Sequence, residues 1–359
     1  MVKSIFWITP DVMGAENGLG YSFHNRMMRK HTGNHIDIND PFAKVFLQIA
    51  PADMYQHVEG KINVLFTMWE FPELPDNYIE NLGKADYVLV PCKFCQDIFR
   101  PYTKREPIIF NEGIDSKDFP FYQRKFPDFS KGERFRIFWS GARNPRKGYQ
   151  YAIELTKVIE NNPNVEIYMK THAKLPSRDK LFDEIEKFQE AQDIKFDIDK
   201  YLDTYISTEE VRVLGKHKNI FFDMRQVPFT ELRKMYNDAH VFLFPTTGEG
   251  WGLMGTEALA TGCPLIATNV TGVRDWFDLQ VGYDLDWTPI PVKATNYGDM
   301  MVSTFSPILQ SVIDQVSYVY THYDEALAKG KRGSKRMHDK FRWEQQGIKL
   351  AKWLEKLEV

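Results

Sequence analysis

The chain contains little cysteine, has almost no net charge and lacks a long apolar run. Only three of its 359 residues are cysteine, which is too few for a disulfide scaffold. A formal net charge of −3 gives no overall bias toward nucleic acid or an anionic membrane. No stretch approaches the roughly 18 apolar residues that cross a bilayer, and the N-terminal MVKSIFWITP reads as a strand instead of a signal peptide. We therefore expect a cytoplasmic protein.

The sequence also has few residue patterns that are typical of a metal site. Cys92 and Cys95 have the spacing of half a zinc or redox site, but a zinc site needs a second pair, which this chain lacks. We interpret both cysteines as structural residues. The Asp-x-Asp triplets at 197–199 and 284–286 arise easily by chance among 49 acidic residues, so we interpret them as solvated surface. The sequence predicts no metal site and no resident cofactor.

Short apolar runs alternate with helical patterns along most of the chain, which is typical of parallel sheets covered by helices. The alternation lapses after Asp115 and resumes at Phe135. We therefore predict an α/β protein with two doubly wound, Rossmann-like units that face a shared cleft. The predicted boundaries are 1–125 for the first domain, 126–134 for a linker, 135–325 for the second domain with a helical insertion at about 174–215, and 326–359 for C-terminal helices. The predicted strands are 5–8, 46–49, 62–66, 87–90 and 108–110, then 135–139, 165–169, 219–222, 241–244 and 265–267.

The most informative segment follows the predicted strand 241–244. A glycine-rich turn, TTGEGWG, leads there into a helix predicted from Leu253 to Thr261. Unpaired backbone N–H groups and the helix dipole favour a phosphate at such a helix N-terminus. Glu249 in the turn and Glu257 in the helix can border the same pocket, where carboxylates accept hydrogen bonds from sugar hydroxyls. This pattern favours a nucleotide-sugar; the alternative is a plain strand-to-helix turn with Glu257 in water.

A second loop, SGARNPRKG at 140–148, also follows a strand and opens a helix. Its cations, Arg143, Arg146 and Lys147, lie at the carboxyl end of that strand. A departing diphosphate needs neutralising charge at that position. This second loop raises the probability of a donor site above that of a structural turn.

The two loops resemble those of the retaining glycosyltransferases of family 4, which have the GT-B fold. Glu249 and Glu257 match the two glutamates that this family separates by seven residues, and Lys147-Gly148 matches its basic pair. Weaker matches are Gly18-Leu19-Gly20, the motif NEGID at 111–115, and FRWE at 341–344. The last of these resembles the start of a final helix that crosses back to the first domain.

The resemblance implies a role for each site residue. Glu249 would contact the donor hexose, Glu257 the ribose, and the amides of Gly252 and Leu253 the distal phosphate. Either Arg143 or Arg146 would join Lys147 on the diphosphate. The implied catalytic residues are Glu249, Lys147 and Arg143, and the implied donor-binding residues are Gly18, Gly20, Gly141, Arg146, Gly250, Trp251, Gly252, Leu253 and Glu257.

The first half departs from the family where many members have a histidine near the reacting sugar. Thr67-Met68-Trp69-Glu70 occupies this region, so Trp69 and Glu70 are candidates to contact the acceptor or donor sugar. An equally supported alternative is that Trp69 and Glu70 simply begin a packed loop. His24 and His172 are further candidates to face the cleft; the alternative is that each has an ordinary polar role.

Taken together, the sequence predicts a retaining, metal-independent glycosyltransferase. We expect it to move a hexose from a UDP- or GDP-sugar to a glycan, a lipid-linked glycan or another hydroxyl acceptor, with a modified DNA base as an alternative acceptor. The alternative functions are a nucleotide-sugar-binding protein, an epimerase or a phosphorylase of the same fold. Basic residues within 329–342 offer contact with a membrane surface or nucleic acid, or else form a solvated helix face.

Overall fold

The computed structural model describes residues 2–8, 20–142, 144–171, 211–294 and 300–357. These residues form two largely parallel sheets covered by helices, which confirms the predicted α/β class. Each predicted strand agrees with an observed strand to within one residue at each end. The predicted helical insertion at about 174–215 is wrong at its end, because residues 211–214 form a strand, and residues 172–210 lie outside the described residues. Across the described ranges, no helix is long and apolar enough to cross a membrane.

The first sheet contains five parallel strands in chain order. They are β1 (Phe6–Ile8), β2 (Val45–Ile49), β3 (Ile62–Phe66), β4 (Tyr87–Val90) and β5 (Ile108–Ile109), with helices α1 (Gly20–Thr32), α2 (Asp76–Lys84) and α3 (Lys93–Phe99). Side chains alternate between the two faces of a strand. Val64 and Phe66 pack with α1, whereas Leu65 packs with α2 and α3. The sheet is therefore buried on both faces.

The second sheet has seven strands in the order β12-β11-β10-β6-β7-β9-β8, and only β8 is antiparallel to its neighbour. Its strands are β6 (Phe135–Ser140), β7 (Val165–Lys170), β8 (Val211–Leu214), β9 (Ile220–Asp223), β10 (Val241–Phe244), β11 (Leu265–Ala267) and β12 (Tyr283–Asp284). Its helices are α4 (Tyr149–Ile159), α5 (Phe229–Asp238) and α6 (Leu253–Ala260). The strand order reverses between β6 and β10. In open parallel sheets, ligands bind at the carboxyl ends of the strands at such a switch point.

The sequence did not predict an antiparallel hairpin of β13 (Trp287–Ala294) and β14 (Met300–Pro307). Pro289 and Pro291 interrupt the first of these strands, and proline within an apolar run argues against a strand. Both prolines are exposed, as expected for an edge position. Three further helices follow: α7 (Leu309–Thr321), α8 (Tyr323–Lys340) and α9 (Trp343–Leu354).

Helix α9 crosses back and packs on α1 beside the first sheet, as the resemblance implied. Backbone hydrogen bonds join the two chain segments that connect the halves. Ile114 donates its N–H to Phe341 O (2.7 Å) and accepts from the N–H of Trp343 (3.2 Å). Gly113 lies at this crossing, where a Cβ atom would overlap the backbone of Trp343. The crossing therefore requires glycine at this position.

A Gly113→Ala substitution is expected to lower the free energy of unfolding by about 1 to 3 kcal/mol, because backbone atoms must separate to admit the methyl group. The matched control is Gly83→Ala in helix α2, where the nearest heavy atom to a Cβ is 3.5 Å away. That control is expected to stabilise the protein slightly, since alanine favours helix over glycine. Urea denaturation of both variants tests the crossing, and equal stabilities would contradict this account.

Cysteine and aspartate patterns have structural explanations. Cys92 caps α3 by accepting the N–H of Cys95 (3.5 Å), and both side chains are fully buried, as a structural role predicts. Asp284 is half-buried and accepts the N–H of Asn269 (3.0 Å), so its interpretation as solvated surface is wrong. Residues 197–199 lie outside the described residues.

Candidate functional site

Two loops meet at the switch point of the second sheet. Strands β6 and β10 are parallel neighbours, so the chain leaves both at the same edge. The first loop spans 140–148 and opens α4, and the second spans 245–252 and opens α6. The carboxyl ends of these strands therefore bring the predicted cations Arg146 and Lys147 together with the predicted acid Glu249.

A short turn, Pro145–Lys147, presents Lys147 to the second loop. The side chain of Asn144 caps the turn by accepting the N–H of Lys147 (3.0 Å). Gly148 has a φ of +70°, and a Cβ atom there would overlap the carbonyl of Pro245. Glycine is thus required for close contact between the two loops.

Glu249 is the centre of the charge cluster. The residue is 4% exposed, and its carboxylate accepts hydrogen bonds from Lys147 Nζ at 2.7 and 2.8 Å. It also accepts hydrogen bonds from Arg146 Nη1 (3.1 Å) and Thr246 Oγ1 (3.0 Å). The Thr271 hydroxyl fixes its backbone, since it accepts the N–H of Glu249 (2.8 Å) and donates to its carbonyl (2.9 Å).

Charge pairing determines the ionisation of this cluster. Burial would raise the pKa of Glu249, but the charges of Lys147 and Arg146 outweigh it and lower that pKa. Burial, helped by the charge of Arg146, lowers the pKa of Lys147, whereas Glu249 opposes this shift. The cluster therefore holds an ionised carboxylate and two nearby cations in a largely dry environment.

The N-terminus of α6 adds positive potential beside these charges. Gly252 is the N-cap, with a φ of +102°, and among the described residues no side chain caps this helix. The first-turn N–H groups therefore lack the usual side-chain acceptor, which makes this end of the helix suited to an anion. Trp251 is 1% exposed and packs edge-on to Phe341, with ring centroids 5.3 Å apart.

Glu257 lies inside the protein, near the same loop, with 7% of the residue exposed. The hydroxyl of Tyr236 on α5 donates to Glu257 Oε2 (3.0 Å). Burial, together with the smaller effect of the charges of Asp118 and Glu112, raises the pKa of Glu257 to about 8, although the Tyr236 hydrogen bond lowers it. At neutral pH this carboxyl is therefore largely protonated.

The first half of the chain contacts the second loop of the candidate site. A Cβ atom on Gly248 would lie 2.5 Å from the carbonyl oxygen of Glu70, and one on Gly250 would lie 2.9 Å from Met68. Glu70 Oε1 is 3.4 Å from Arg146 Nη2, so an ion pair joins the two halves. The segment after β3 thus lies directly against the loop that carries Glu249.

Comparison with protein families identifies the second half of the chain. Residues 134–283 match the family model described as "Glycosyl transferases group 1". Residues 226–350 match the model described as "Family 4 Glycosyltransferase in conflict systems". Both models describe glycosyltransferases, the second of them family 4, and together they cover residues 134–350. The two glutamates and the basic pair of this chain lie in the matched segments.

Solved structures show the same GT-B fold across both halves. HepE from Anabaena, in complex with UDP-glucose, aligns with a TM-score of 0.64 over 99% of this chain and 100% of its own, at 11% identity. Sucrose-phosphate synthase from Thermosynechococcus elongatus aligns with a TM-score of 0.59 over 95% of this chain and 79% of its own, at 14% identity. TarM from Staphylococcus aureus, in complex with UDP, aligns with a TM-score of 0.54 over 86% of this chain and 55% of its own, at 16% identity.

A curated relative gives a short but closer match. The capsular polysaccharide biosynthesis glycosyltransferase CapM from Staphylococcus aureus is 52% identical over 40 residues. These residues are 11% of this chain and 10% of that relative, so the chain matches about a tenth of its length. The match is too short to indicate an acceptor for this chain.

Two candidate residues of the first half are buried. His24, predicted to face the cleft, is fully buried; its Nδ1 is 2.8 Å from Glu112 Oε1, and its ring packs against Phe66 and Trp343. The prediction that His24 faces the cleft is therefore wrong, because Phe66 of β3 and Trp343 of α9 pack against it, and the alternative of an ordinary polar role fits its contact with Glu112. Trp69 is 1% exposed and donates Nε1 to Glu73 O (2.7 Å), which corresponds to the packed-loop interpretation.

Of the remaining predicted site residues, some lie in the described part of the chain and others do not. Gly141 follows β6 and donates its N–H to Lys170 O (3.0 Å). Gly20 begins α1, and a Cβ there would have no heavy atom within 4 Å. Gly18, Arg143 and His172 lie outside the described residues.

The basic residues of α8 are mostly engaged within the protein. Arg336 pairs with Asp278 (2.9 Å), and Arg332 donates to Gln280 O (2.8 Å). Lys329 lies over the ring of Tyr283, with Nζ 4.0 Å from its centroid. These contacts favour the interpretation as a helix face over a binding patch.

Sequence reasoning missed three residues that support the acids: Tyr236, Thr246 and Thr271. Thr246 is the first residue of the predicted turn, and its hydroxyl was the available signal. Tyr236 lies on another helix, 21 positions before Glu257. Thr271 lies 22 positions after Glu249, so no local pattern connects the two residues.

Proposed function

We propose that this glycosyltransferase moves a hexose, with retention of anomeric configuration, from a UDP- or GDP-sugar to a hydroxyl of a glycan or lipid-linked acceptor. The observation that carries the proposal is the buried Glu249 carboxylate, held by Lys147 and Arg146 beside the N-terminus of α6, where Gly252 supplies no side-chain cap. Cations and helix amides together suit a diphosphate, and an ionised acid among them suits sugar hydroxyls.

The proposed step requires each of these groups. The bond between C1 of the hexose and a diphosphate oxygen breaks, the acceptor oxygen bonds to C1 from the same face, and the acceptor proton passes to the departing diphosphate. Lys147 and Arg146 stabilise the negative charge that develops on the leaving group. Glu249 holds hexose hydroxyls, Glu257 holds the ribose, and the amides of Gly252 and Leu253 contact the distal phosphate.

Two features support the donor class and the independence from metal. HepE and TarM were solved with UDP-glucose and with UDP, which makes uridine nucleotides the first donors to test. Two cationic side chains and a helix dipole already neutralise a leaving diphosphate, so the proposed reaction needs no metal ion.

A donor screen followed by a transfer assay tests the proposal. UDP-glucose, UDP-N-acetylglucosamine, GDP-mannose and ADP-glucose are compared by thermal shift, because a ligand of the native state raises the melting temperature. The stabilising donor is then incubated with glycans, lipid-linked glycans and DNA that contains hydroxylated bases. The expected result is transfer with the donor's anomeric configuration and a rate that EDTA does not change.

Other outcomes would contradict specific parts. Binding without transfer or donor hydrolysis would indicate a nucleotide-sugar-binding protein. A requirement for inorganic phosphate would indicate a phosphorylase, and an inverted product would refute retention. Loss of the rate in EDTA, restored by Mg²⁺, would refute metal independence.

A further inference from the structure

The ion pair between Glu70 and Arg146 connects the two halves at the donor site. Glu70 Oε1 is 3.4 Å from Arg146 Nη2. The Nη1 atom of the same guanidinium donates to Glu249 Oε2 (3.1 Å) and to Gly248 O (2.9 Å). Arg146 therefore contacts one carboxylate from each half of the molecule.

Among the described residues, the cluster contains two positive charges, from Arg146 and Lys147, and two negative charges, from Glu70 and Glu249. A nucleoside diphosphate brings at least about two further negative charges to the same cations. Like charges repel strongly where solvent is excluded, so one carboxylate must give up its contact when the diphosphate binds.

We expect Glu70 to be the carboxylate that loses its contact with Arg146. The Glu249 side chain is 6% exposed, and Lys147 holds both of its oxygens at 2.7 and 2.8 Å. The Glu70 side chain is 24% exposed, and its contact with Arg146 is 3.4 Å long. A longer, more exposed ion pair is weaker, because water solvates both partners.

The backbone around Glu70 is fixed, whereas its carboxylate has, within the described part of the chain, only the weak ion pair with Arg146. The Tyr21 hydroxyl accepts the N–H of Met68 and donates to its carbonyl, both at 2.9 Å. Glu73 accepts hydrogen bonds from the N–H and hydroxyl of Ser303 on the hairpin (2.8 and 2.7 Å). Rotation of the Glu70 side chain therefore changes the charge at Arg146 without moving the loop.

We propose that Glu70 is a displaceable counterion that competes with the donor diphosphate for Arg146. It belongs to the first half, so diphosphate binding replaces a contact between the halves by a contact with the donor. The inference rests on the proposed function, because it places a nucleoside diphosphate at the loops 140–148 and 245–252. Glu70 thereby sets the affinity for the donor and for the nucleotide product.

The test compares nucleoside diphosphate affinity by calorimetry, using UDP or GDP, whichever binds the wild-type protein more tightly. A Glu70→Gln variant keeps the side-chain shape and loses the charge, and its Kd is expected to be about two- to fivefold lower than that of the wild type. The matched control is Glu73→Gln on the same loop, which contacts Ser303 and is expected to leave the Kd unchanged. In an Arg146→Met background, Glu70→Gln is also expected to have no effect on the Kd.

An unchanged or higher Kd in Glu70→Gln would overturn the counterion role. An equal gain in the Arg146→Met background, or in Glu73→Gln, would also overturn it, because the effect would then be a general loss of negative charge. If neither UDP nor GDP binds the wild-type protein, the proposed function fails as well. The two failures are therefore distinguishable.

Discussion

Replacing Lys147 by methionine is expected to lower the rate of sugar transfer by about 100- to 1,000-fold, because the departing diphosphate loses a buried positive charge. Methionine keeps most of the length and the apolar stem of lysine. The measurement is kcat for transfer with the donor identified by thermal shift. Donor hydrolysis is expected to fall in parallel, since both reactions share the leaving group.

The same substitution leaves the buried Glu249 with fewer positive partners, so stability must be separated from catalysis. The free energy of unfolding is expected to fall by about 3 kcal/mol in Lys147→Met, as when one partner of a buried ion pair is removed. A second substitution, Glu249→Gln, removes the uncompensated charge and is expected to restore most of that stability without restoring activity. A single variant with wild-type kcat would contradict the role of Lys147, and a double variant with recovered activity would show that stability alone was affected.

The second large effect concerns Glu257 and the pH dependence of stability. Its pKa is about 8 in the folded protein against an ordinary 4.5. The folded state therefore holds a proton that the unfolded state has lost between these values, and the free energy of unfolding falls as the pH rises through that window. The shift corresponds to at most about 5 kcal/mol, which is reached above about pH 8.

Glu257→Gln is expected to abolish this dependence. The amide oxygen of glutamine still accepts the hydrogen bond from Tyr236, and the side chain does not ionise. Urea denaturation between about pH 5 and pH 9 should show wild-type stability falling relative to the variant as the pH rises, with the two nearly equal at the acid end. Parallel curves for the two proteins would contradict a raised pKa at Glu257. The protein interior disfavours the ionised form of Glu257, as is common at functional sites. Hydrogen bonds from ribose hydroxyls would stabilise that form.

The sequence was most informative where one element carries both the signal and the function. Glu249, Gly252 and Glu257 lie within one strand-to-helix connection, so spacing along the chain determines their positions. Lys147 follows a neighbouring strand of the same sheet, and parallel order predicts that the two loops meet. The strands themselves were predictable because buried parallel strands are continuous apolar runs.

The remaining features depend on contacts between distant segments. Tyr236 supports Glu257 from another helix, and the ion pair of Glu70 with Arg146 spans the two halves. A polar residue such as His24 reads as a cleft candidate until the packing of α9 over it is known. Long-range packing of this kind has no local period or spacing in the sequence.

The central claim is that the loops at 140–148 and 245–252 bind a diphosphate. Calorimetry with uridine and UDP, and with guanosine and GDP, tests it most directly, because each pair differs only in the diphosphate. The account predicts that one of the diphosphates binds the wild-type protein at least about 100-fold more tightly than its nucleoside, and that Lys147→Met removes most of this difference. Equal affinities for a nucleoside and its diphosphate, or no binding of either diphosphate, would contradict it.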